Sequence, residues 1–369
     1  MRSFPLAGLA CLMLVLTPHA QEPAATDALD GIDPVVLIEQ NKEVYGKAEH
    51  SAVRGPFRYL FASRESQAAF EADPGKYEIQ FGGLCARMGG ATGGNPADFL
   101  VHDGRIYVFG SDECHRRFAA APSKYLPPAP APLPTTSTPR RAGAALLDRA
   151  VAALGGRERV AALQTYVETA SQVQERPSGK VPVTRVMMWR SNGDVRQERT
   201  MALMERRLTI ASVLTPGSGW YPREDGGSRP MLEAARTYLR ADADRHLIAL
   251  VRARPGGDTT VAALPSGTVQ GQAVEQVRIV RRPLDVTLGI HPVSGEPRTM
   301  TFVDRNLEGV FGSYVLVLSD YRTVDGLRLP FEIHAFFDGE PDASRSWTVE
   351  SIEVNAPLDD ALFQPEKSR

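Results

Sequence analysis

The sequence predicts an α+β protein in two unlike parts, a small duplicated αβ domain followed by a large antiparallel, curved sheet with helices. Three observations carry that prediction. Residues 59–77 recur at a constant offset of 48 with nine identities in nineteen positions, where about one would arise from ordinary composition. Residues 127–139 read Pro-Pro-Ala-Pro-Ala-Pro-Leu-Pro-Thr-Thr-Ser-Thr-Pro, which favours extended polyproline II and cannot pack into a core. Beyond them a helical stretch leads into eight β-type runs, and 369 residues exceed what one core usually organises.

The chain begins with an export signature: Arg2, an apolar run over residues 6–16, and Pro18-His19-Ala20 as a cleavage point. Residues 1–20 are therefore expected to be removed, leaving a periplasmic or secreted protein. Eleven residues cannot cross a hydrocarbon core that needs about 20, so no transmembrane span is expected after cleavage. Cys11 lies inside the apolar run after Gly8-Leu9-Ala10, which departs from a leucine-first lipidation motif. With 43% hydrophobic and 23% charged residues the composition is that of a folded protein, and a net charge of -2 offers no field for nucleic acid.

The first domain is expected over residues 29–127. Each copy of its repeat has a short β-type run (58–61 and 105–109), then Ser63 or Ser111 as a helix N-cap with an acid two residues on. Each helix carries a phenylalanine, Phe70 or Phe118, and stops before Pro74 or Pro122, so the aromatic residues should form the core of each unit. Between the copies, residues 88–96 are glycine-rich but lack the Gly-Lys-Ser/Thr of a phosphate loop and read as a flexible connector. A linker follows over residues 128–143; at ~3.1 Å per residue a polyproline spacer would hold the flanking parts some tens of ångströms apart.

The second domain is expected over residues 144–369. Leu146, Leu147, Val151, Leu154, Val160 and Leu163 give helical spacing interrupted at Gly155-Gly156. Strand-like runs then occupy 166–173, 181–189, 208–214, 274–280, 299–303, 314–318, 329–337 and 347–354, and Asp325-Gly326 marks a tight hairpin. Residues 231–251 return to helical spacing and suggest an insert against the sheet, leaving an apolar hollow. Trp189, Trp220, Phe302, Phe331, Phe336 and Trp347 are candidates to line it or to be ordinary core. Asp242 and Asp244 read as a solvated helix face.

The first domain resembles the YHS domain, a small treble-clef-like module, through Tyr-x-Phe-x-Ser, a central Phe, the closing Pro-x-Lys-Tyr, Gly31-Ile32-Asp33-Pro34-Val35, and Gly82-Gly83-Leu84-Cys85-Ala86. Metal-binding members carry three cysteines, one after the opening Asp-Pro-Val and two in a Phe-Cys-Ser-x-x-Cys turn. Here Val36, Ala62 and Ser66 occupy the matching places of the first copy, which is expected to be structural; Gly110 replaces one cysteine of the second, which keeps Cys114 and has Cys85 near the opening. Three readings of that pair stand open. A disulfide would close a loop of about 30 residues and contribute roughly 3 kcal/mol in the chain-entropy model. A copper or zinc site would need His115, or His102 or Asp112, to complete it. Free thiols are the third. His50, like His102, is otherwise expected to be a hydrated surface side chain.

The second domain resembles the lipoprotein-sorting (LolA-like) carriers. The resemblance rests on Ala153-Leu154-Gly155-Gly156, Gly219-Trp220, the hairpin over 321–330, and Asn355-Ala356-Pro357-Leu358-Asp359-Asp360-Ala361-Leu362-Phe363. It implies a half-open barrel around an acyl chain or another apolar ligand. No Gly-x-Ser-x-Gly, His-Glu-x-x-His, dinucleotide or Walker loop is present in a workable context, and His291, Ser294 and Glu296 lie together in a turn. The expectation is an exported, non-enzymatic protein binding a lipid or apolar ligand, with envelope proteins as further partners. The alternatives are metal handling through Cys85, Cys114 and His115, and a hydrolase whose groups meet only in the fold.

Overall fold

The structure, a computed structural model, describes residues 25–90, 92–176, 179–203, 206–223, 227–252 and 256–365; the predicted export signal and Cys11 lie outside the described residues. The N-terminal part is two units of one build. The first comprises β1 (Thr26–Asp27), α1 (Pro34–Gln40), β2 (Lys47–Arg54), β3 (Phe57–Phe61), α2 (Arg64–Ala72) and α3 (Pro74–Tyr77). The second comprises β4 (Asn95–His102), β5 (Arg105–Phe109) and α4 (Asp112–Ala120). In both, an antiparallel hairpin feeds a nine-residue helix whose preceding serine caps it: Ser63 Oγ accepts from the Ser66 N–H and Ser111 Oγ from the Cys114 N–H, each at 3.3 Å. A proline two residues beyond each helix stops it.

The aromatic core repeats in three dimensions. Phe70 packs on Tyr59 at 4.8 Å and 37° and on Phe61 at 5.1 Å and 55°; Phe118 packs on Tyr107 at 5.1 Å and 38° and on Phe109 at 5.3 Å and 55°. Each unit also opens on the same turn, with φ near +55° at Leu29 and Asp30 or at Phe81 and Gly82, then +85° at Gly31 or Gly83. Agreement at this level in rings, caps and turns is what duplication of one unit produces.

The C-terminal part starts with α5 (Ser137–Ala153) and α6 (Arg157–Ala162), broken at Gly155 and Gly156, whose φ values of +117° and +92° a helix cannot hold. It continues as β6 (Thr165–Arg176), β7 (Gly179–Arg190), β8 (Val195–Leu203), β9 (Arg206–Leu214), β10 (Gly219–Pro222) and β11 (Ser228–Pro230). The helical insert is α7 (Glu233–Asp244) and α8 (Leu247–Arg252). After it come β12 (Thr260–Val269), β13 (Gln272–Arg281), β14 (Leu284–Ile290), β15 (Pro297–Arg305), β16 (Phe311–Val324), β17 (Leu327–Phe337), β18 (Glu340–Pro341) and β19 (Trp347–Val354).

Among the described residues these strands form one antiparallel sheet of fourteen. Its order is β11-β10-β9-β8-β7-β6-β19-β17-β16-β15-β14-β13-β12, with β18 paired to β17. The outermost strands β11 and β12 do not pair, so the curved sheet is not a closed barrel. Asp325 and Gly326, with φ of +46° and +80°, make the predicted two-residue turn between Val324 and Leu327. The helices fill one end of the concave side: Leu147, Val151 and Leu154 of α5 and its C-cap, Val160 of α6, and Ile248 and Val251 of α8 are buried in one cluster with Val277, Ile279, Val286 and Leu288 of the sheet.

All eight sequence-read strands fall within observed strands, and the break at Gly155-Gly156 and the insert near 231–251 are present. Two expectations about the tether change. Helix α5 begins at Ser137, inside the stretch read as linker, because Pro139 lies in the first turn, where N–H groups have no intrahelical partner to lose. Nor does the proline run hold the two parts apart. The carbonyls of Ala131 and Pro132, unsatisfied within an extended chain, accept from Arg278 at 3.0 and 3.3 Å while Asp285 neutralises the same guanidinium. The tether is laid against the sheet, and the N-terminal module packs on the mouth of the half-barrel.

Candidate functional site

Between sheet, helix α7 and module lies a cavity of about 590 Å³, within the ~300–1,000 Å³ of small-molecule sites. Strand alternation explains its wall. Side chains two apart share a face, so Val183, Arg185 and Met187 of β7 and Val195, Gln197, Arg199 and Met201 of β8 all point inward. Met300 and Phe302 of β15, Leu316 and Leu318 of β16, and Leu329 and Ile333 of β17 make the opposite wall, which is apolar. Tyr238, Leu239 and Asp242 of α7 close one side.

The charged groups are arranged in two knots. Glu168 on β6, 2% exposed, accepts from Tyr166 at 2.7 Å, from Arg185, and from His246 at 3.4 Å. Burial alone would push this carboxyl up; the Arg185 charge and the hydrogen bonds from His246 and Tyr166 outweigh it and hold Glu168 well below the ordinary carboxylate range. Its stabilising contribution is thus present above the unfolded carboxylate pKa and is lost only as pH falls through the depressed folded value. The second knot centres on Asp304, 2% exposed, which pairs with Arg245 and Arg345 at 2.8 Å each and accepts from Tyr238 at 3.3 Å. Burial, reinforced by Asp304, pushes the Tyr238 hydroxyl up to about 12. Asp242, read from sequence as solvated, instead lines the cavity 3.3 Å from Arg245, and Asp244 pairs with Arg281 at 2.7 Å. Helix α7 packs over the cavity, so these carboxylates, 31% and 26% exposed, meet arginines as well as water.

The roof is the module. Met88, Gly89, Gly90 and Thr92, in the stretch read as a flexible connector, line the cavity. Arg305 at the end of β15 pins them: its guanidinium donates to the carbonyls of Ala86 at 3.0 Å and Tyr125 at 3.3 Å and lies over the rings of Phe81 and Phe311 at 5.0 and 4.5 Å. Contact is close enough that a Cβ on Gly309 would stand 2.0 Å from the Arg87 carbonyl.

Cys85 and Cys114 are brought together, buried, as free thiols rather than a cystine. Their setting repeats that of a pair in the first unit. There Asp33, fully buried, accepts from the N–H groups of Val35, Val36 and Ala62 and from the Ser66 hydroxyl at 2.6 Å. In the second unit the Cys85 sulfur takes the N–H groups of Arg87, Met88 and Gly110, and Cys114 stands where Ser66 does. Cys85 therefore corresponds to Asp33, and the thiol pair to a carboxylate–hydroxyl staple. Burial pushes the Cys85 thiol up; at Cys114 burial opposes ionisation too, but Ser111, Arg87 and Cys85 outweigh it and bring that thiol down.

His115 does not join them. It pairs with Asp98 and stacks on Phe109 at 4.5 Å, His102 lies against Asp103 and Phe118, and Asp112 occupies the first turn of α4. Among the described residues no three His, Cys, Asp or Glu side chains form a metal-binding group. The staple equivalence predicts that Cys85→Asp with Cys114→Ser folds with stability within about 1 kcal/mol of the parent, whereas Cys85→Ala strands three N–H groups and costs about 1–3 kcal/mol. Urea denaturation of the three proteins checks this.

Of the six candidate aromatic residues, Phe302 and Trp347 line the cavity. Trp189 borders a narrow crevice beside His246, Trp220 packs with Val213 and Phe363, Phe331 is core, and Phe336 pairs across to Val315. Ser294 does reach His291 at 3.2 Å and Glu296 at 3.4 Å, but in a turn: the His291 Nδ1 also accepts the Ser294 N–H, and Arg298 and Arg328 hold Glu296. In the cavity His246 meets Glu168, with no serine or cysteine bonded to it among the described residues. The sequence reading missed Glu168, Arg185, Arg199, Asp304 and Arg305; inward polar residues on strands leave no local motif.

Among the described residues no helix is long and apolar enough to cross a membrane. No family model and no curated protein matches the sequence. Solved structures similar to this chain include a LolA superfamily protein from Nitrosomonas europaea, 14% identical with a TM-score of 0.40 over 60% of this chain and 97% of that one. A putative outer membrane lipoprotein-sorting protein domain from Vibrio parahaemolyticus is 10% identical, with a TM-score of 0.37 over 61% and 97%. A DUF1329 family protein from Desulfovibrio piger is 11% identical, with a TM-score of 0.36 over 61% and 97%.

Proposed function

We propose that the protein is an exported, non-enzymatic carrier that holds a lipid or other apolar ligand in the half-barrel, with the YHS-like module as its cover. The observation that carries this reading is the cavity of about 590 Å³ with one apolar wall, roofed by Met88, Gly89, Gly90 and Thr92 and latched by Arg305. Burying an acyl chain there gains about 0.8 kcal/mol per methylene, which supplies micromolar affinity from a modest chain length. In this reading the module, whose thiols stand as a structural staple, contributes shape rather than metal chemistry.

The test is titration with N-phenyl-1-naphthylamine, a neutral dye that brightens in apolar surroundings. The full chain should give a saturable rise at one dye per molecule. Ser212→Trp, which puts an indole into the cavity from β9, should weaken it by about tenfold without changing the far-ultraviolet circular dichroism. No saturable rise in the parent, or equal binding by the variant, would overturn the proposal.

A further inference from the structure

Arg185 and Arg199 stand directly opposite each other across β7 and β8, and both side chains face the cavity. Like charges in that register repel. Glu168 answers only one of them. Of the five arginines lining the cavity, Arg185 is paired with Glu168, Arg245 and Arg345 with Asp304, and Arg305 with the module's carbonyls. The Arg199 side chain makes no hydrogen bond or ion pair among the described residues; its other cross-strand neighbour is Ile210, and it rests over the Trp347 ring at 5.7 Å. Arg185 lies over the same ring at 4.4 Å and has a buried Nε with no acceptor. Asp242 acts on Arg199 only through space. Two guanidinium groups on one indole, with an unfilled donor on one and all donors of the other free, form an anion seat inside an otherwise lipid-shaped space.

We propose that Arg199, with Arg185, binds the carboxylate or phosphate of an amphiphile whose alkyl chain lies along Met187, Met201, Leu316 and Ile333. The inference rests on the carrier reading and narrows it to anionic ligands. Burial, the main influence on Arg199, disfavours its charged form; the Asp242 charge opposes that, Arg185 and Arg345 add to it, and a bound anion relieves it.

The experiment is displacement of N-phenyl-1-naphthylamine from the full chain by oleate and by oleyl alcohol, below the concentration at which oleate forms micelles. A second pair, oleoyl lysophosphatidate against monoolein, separates phosphate from carboxylate recognition. The parent should favour at least one anionic member over its neutral partner by about tenfold, and Arg199→Gln should reduce that ratio to about one while leaving the neutral ligands unchanged. Removing an unpaired charge is not expected to harm folding; Arg199→Lys, which keeps charge but not the fork, should retain an intermediate ratio. Equal affinity of the parent for charged and neutral partners would overturn the anion seat and leave the carrier reading standing. An anionic preference that survives in Arg199→Gln would overturn the assignment to Arg199. Binding of neither class overturns the carrier reading itself.

Discussion

Replacing Asp304 by alanine is expected to destabilise the C-terminal part by about 3–5 kcal/mol. The carboxylate is 2% exposed and is the shared partner of Arg245 and Arg345, which also lie over Phe302 at 4.7 and 5.8 Å. Losing it leaves Asp242, at 3.3 and 4.0 Å, as the remaining acidic partner of both guanidinium groups, and it removes the acceptor of Tyr238 on α7. The cost is that of two largely buried positive charges left with one acidic partner in place of two, larger than the net worth of the pairs themselves. Urea denaturation read by circular dichroism checks this. A loss below about 1 kcal/mol would mean that water reaches the knot freely.

Arg305→Ala is the second large effect. It deletes two charge-assisted hydrogen bonds, to Ala86 and Tyr125, and two cation–π contacts, to Phe81 and Phe311. The two hydrogen bonds and the Phe81 contact cross to the module and together contribute on the order of 3 kcal/mol to docking it, whereas Phe311 faces Arg305 across the half-barrel's own β15–β16 pair. Each part keeps its own buried cluster, so both should remain folded while their contact loosens. Proteinase K is expected to cut the exposed proline tether more than tenfold faster in the variant, with dye release from the cavity accelerated in parallel. Unchanged cleavage and unchanged release would show that the cover is held by something other than Arg305.

What was legible in the sequence follows from physical locality. The hairpin-plus-helix unit, its serine caps and its aromatic triads are local patterns, and an offset of 48 exposed them. The correspondence of Cys85 with Asp33 was hidden because that pair is offset by 52, so four residues fewer separate Cys85 from its helix cap than separate Asp33 from its own. Most of the strands read from sequence carry Val, Ile or Leu on one face, although β14, with Leu284, Val286, Leu288 and Ile290 alternating, is absent from that reading; β8 gave no such signal, because its inward face is Val195, Gln197, Arg199 and Met201. The very residues that give the cavity its chemistry break the apolar alternation that marks a strand. The opposition of Arg185 and Arg199 requires the β7–β8 register, and the roof requires knowing that the tether folds back along the sheet. Neither is a local property.

The proposed ligand position is between the half-barrel and the module, and photolabelling with a long-chain alkyl diazirine, mapped by peptide mass, locates the bound chain. Labels are expected on the inward residues of β7, β8, β16 and β17, with Met187, Met201, Leu316 and Ile333 foremost, and excess oleate should protect those positions. Labels confined to the outer surface, or labels that oleate does not displace, would contradict it.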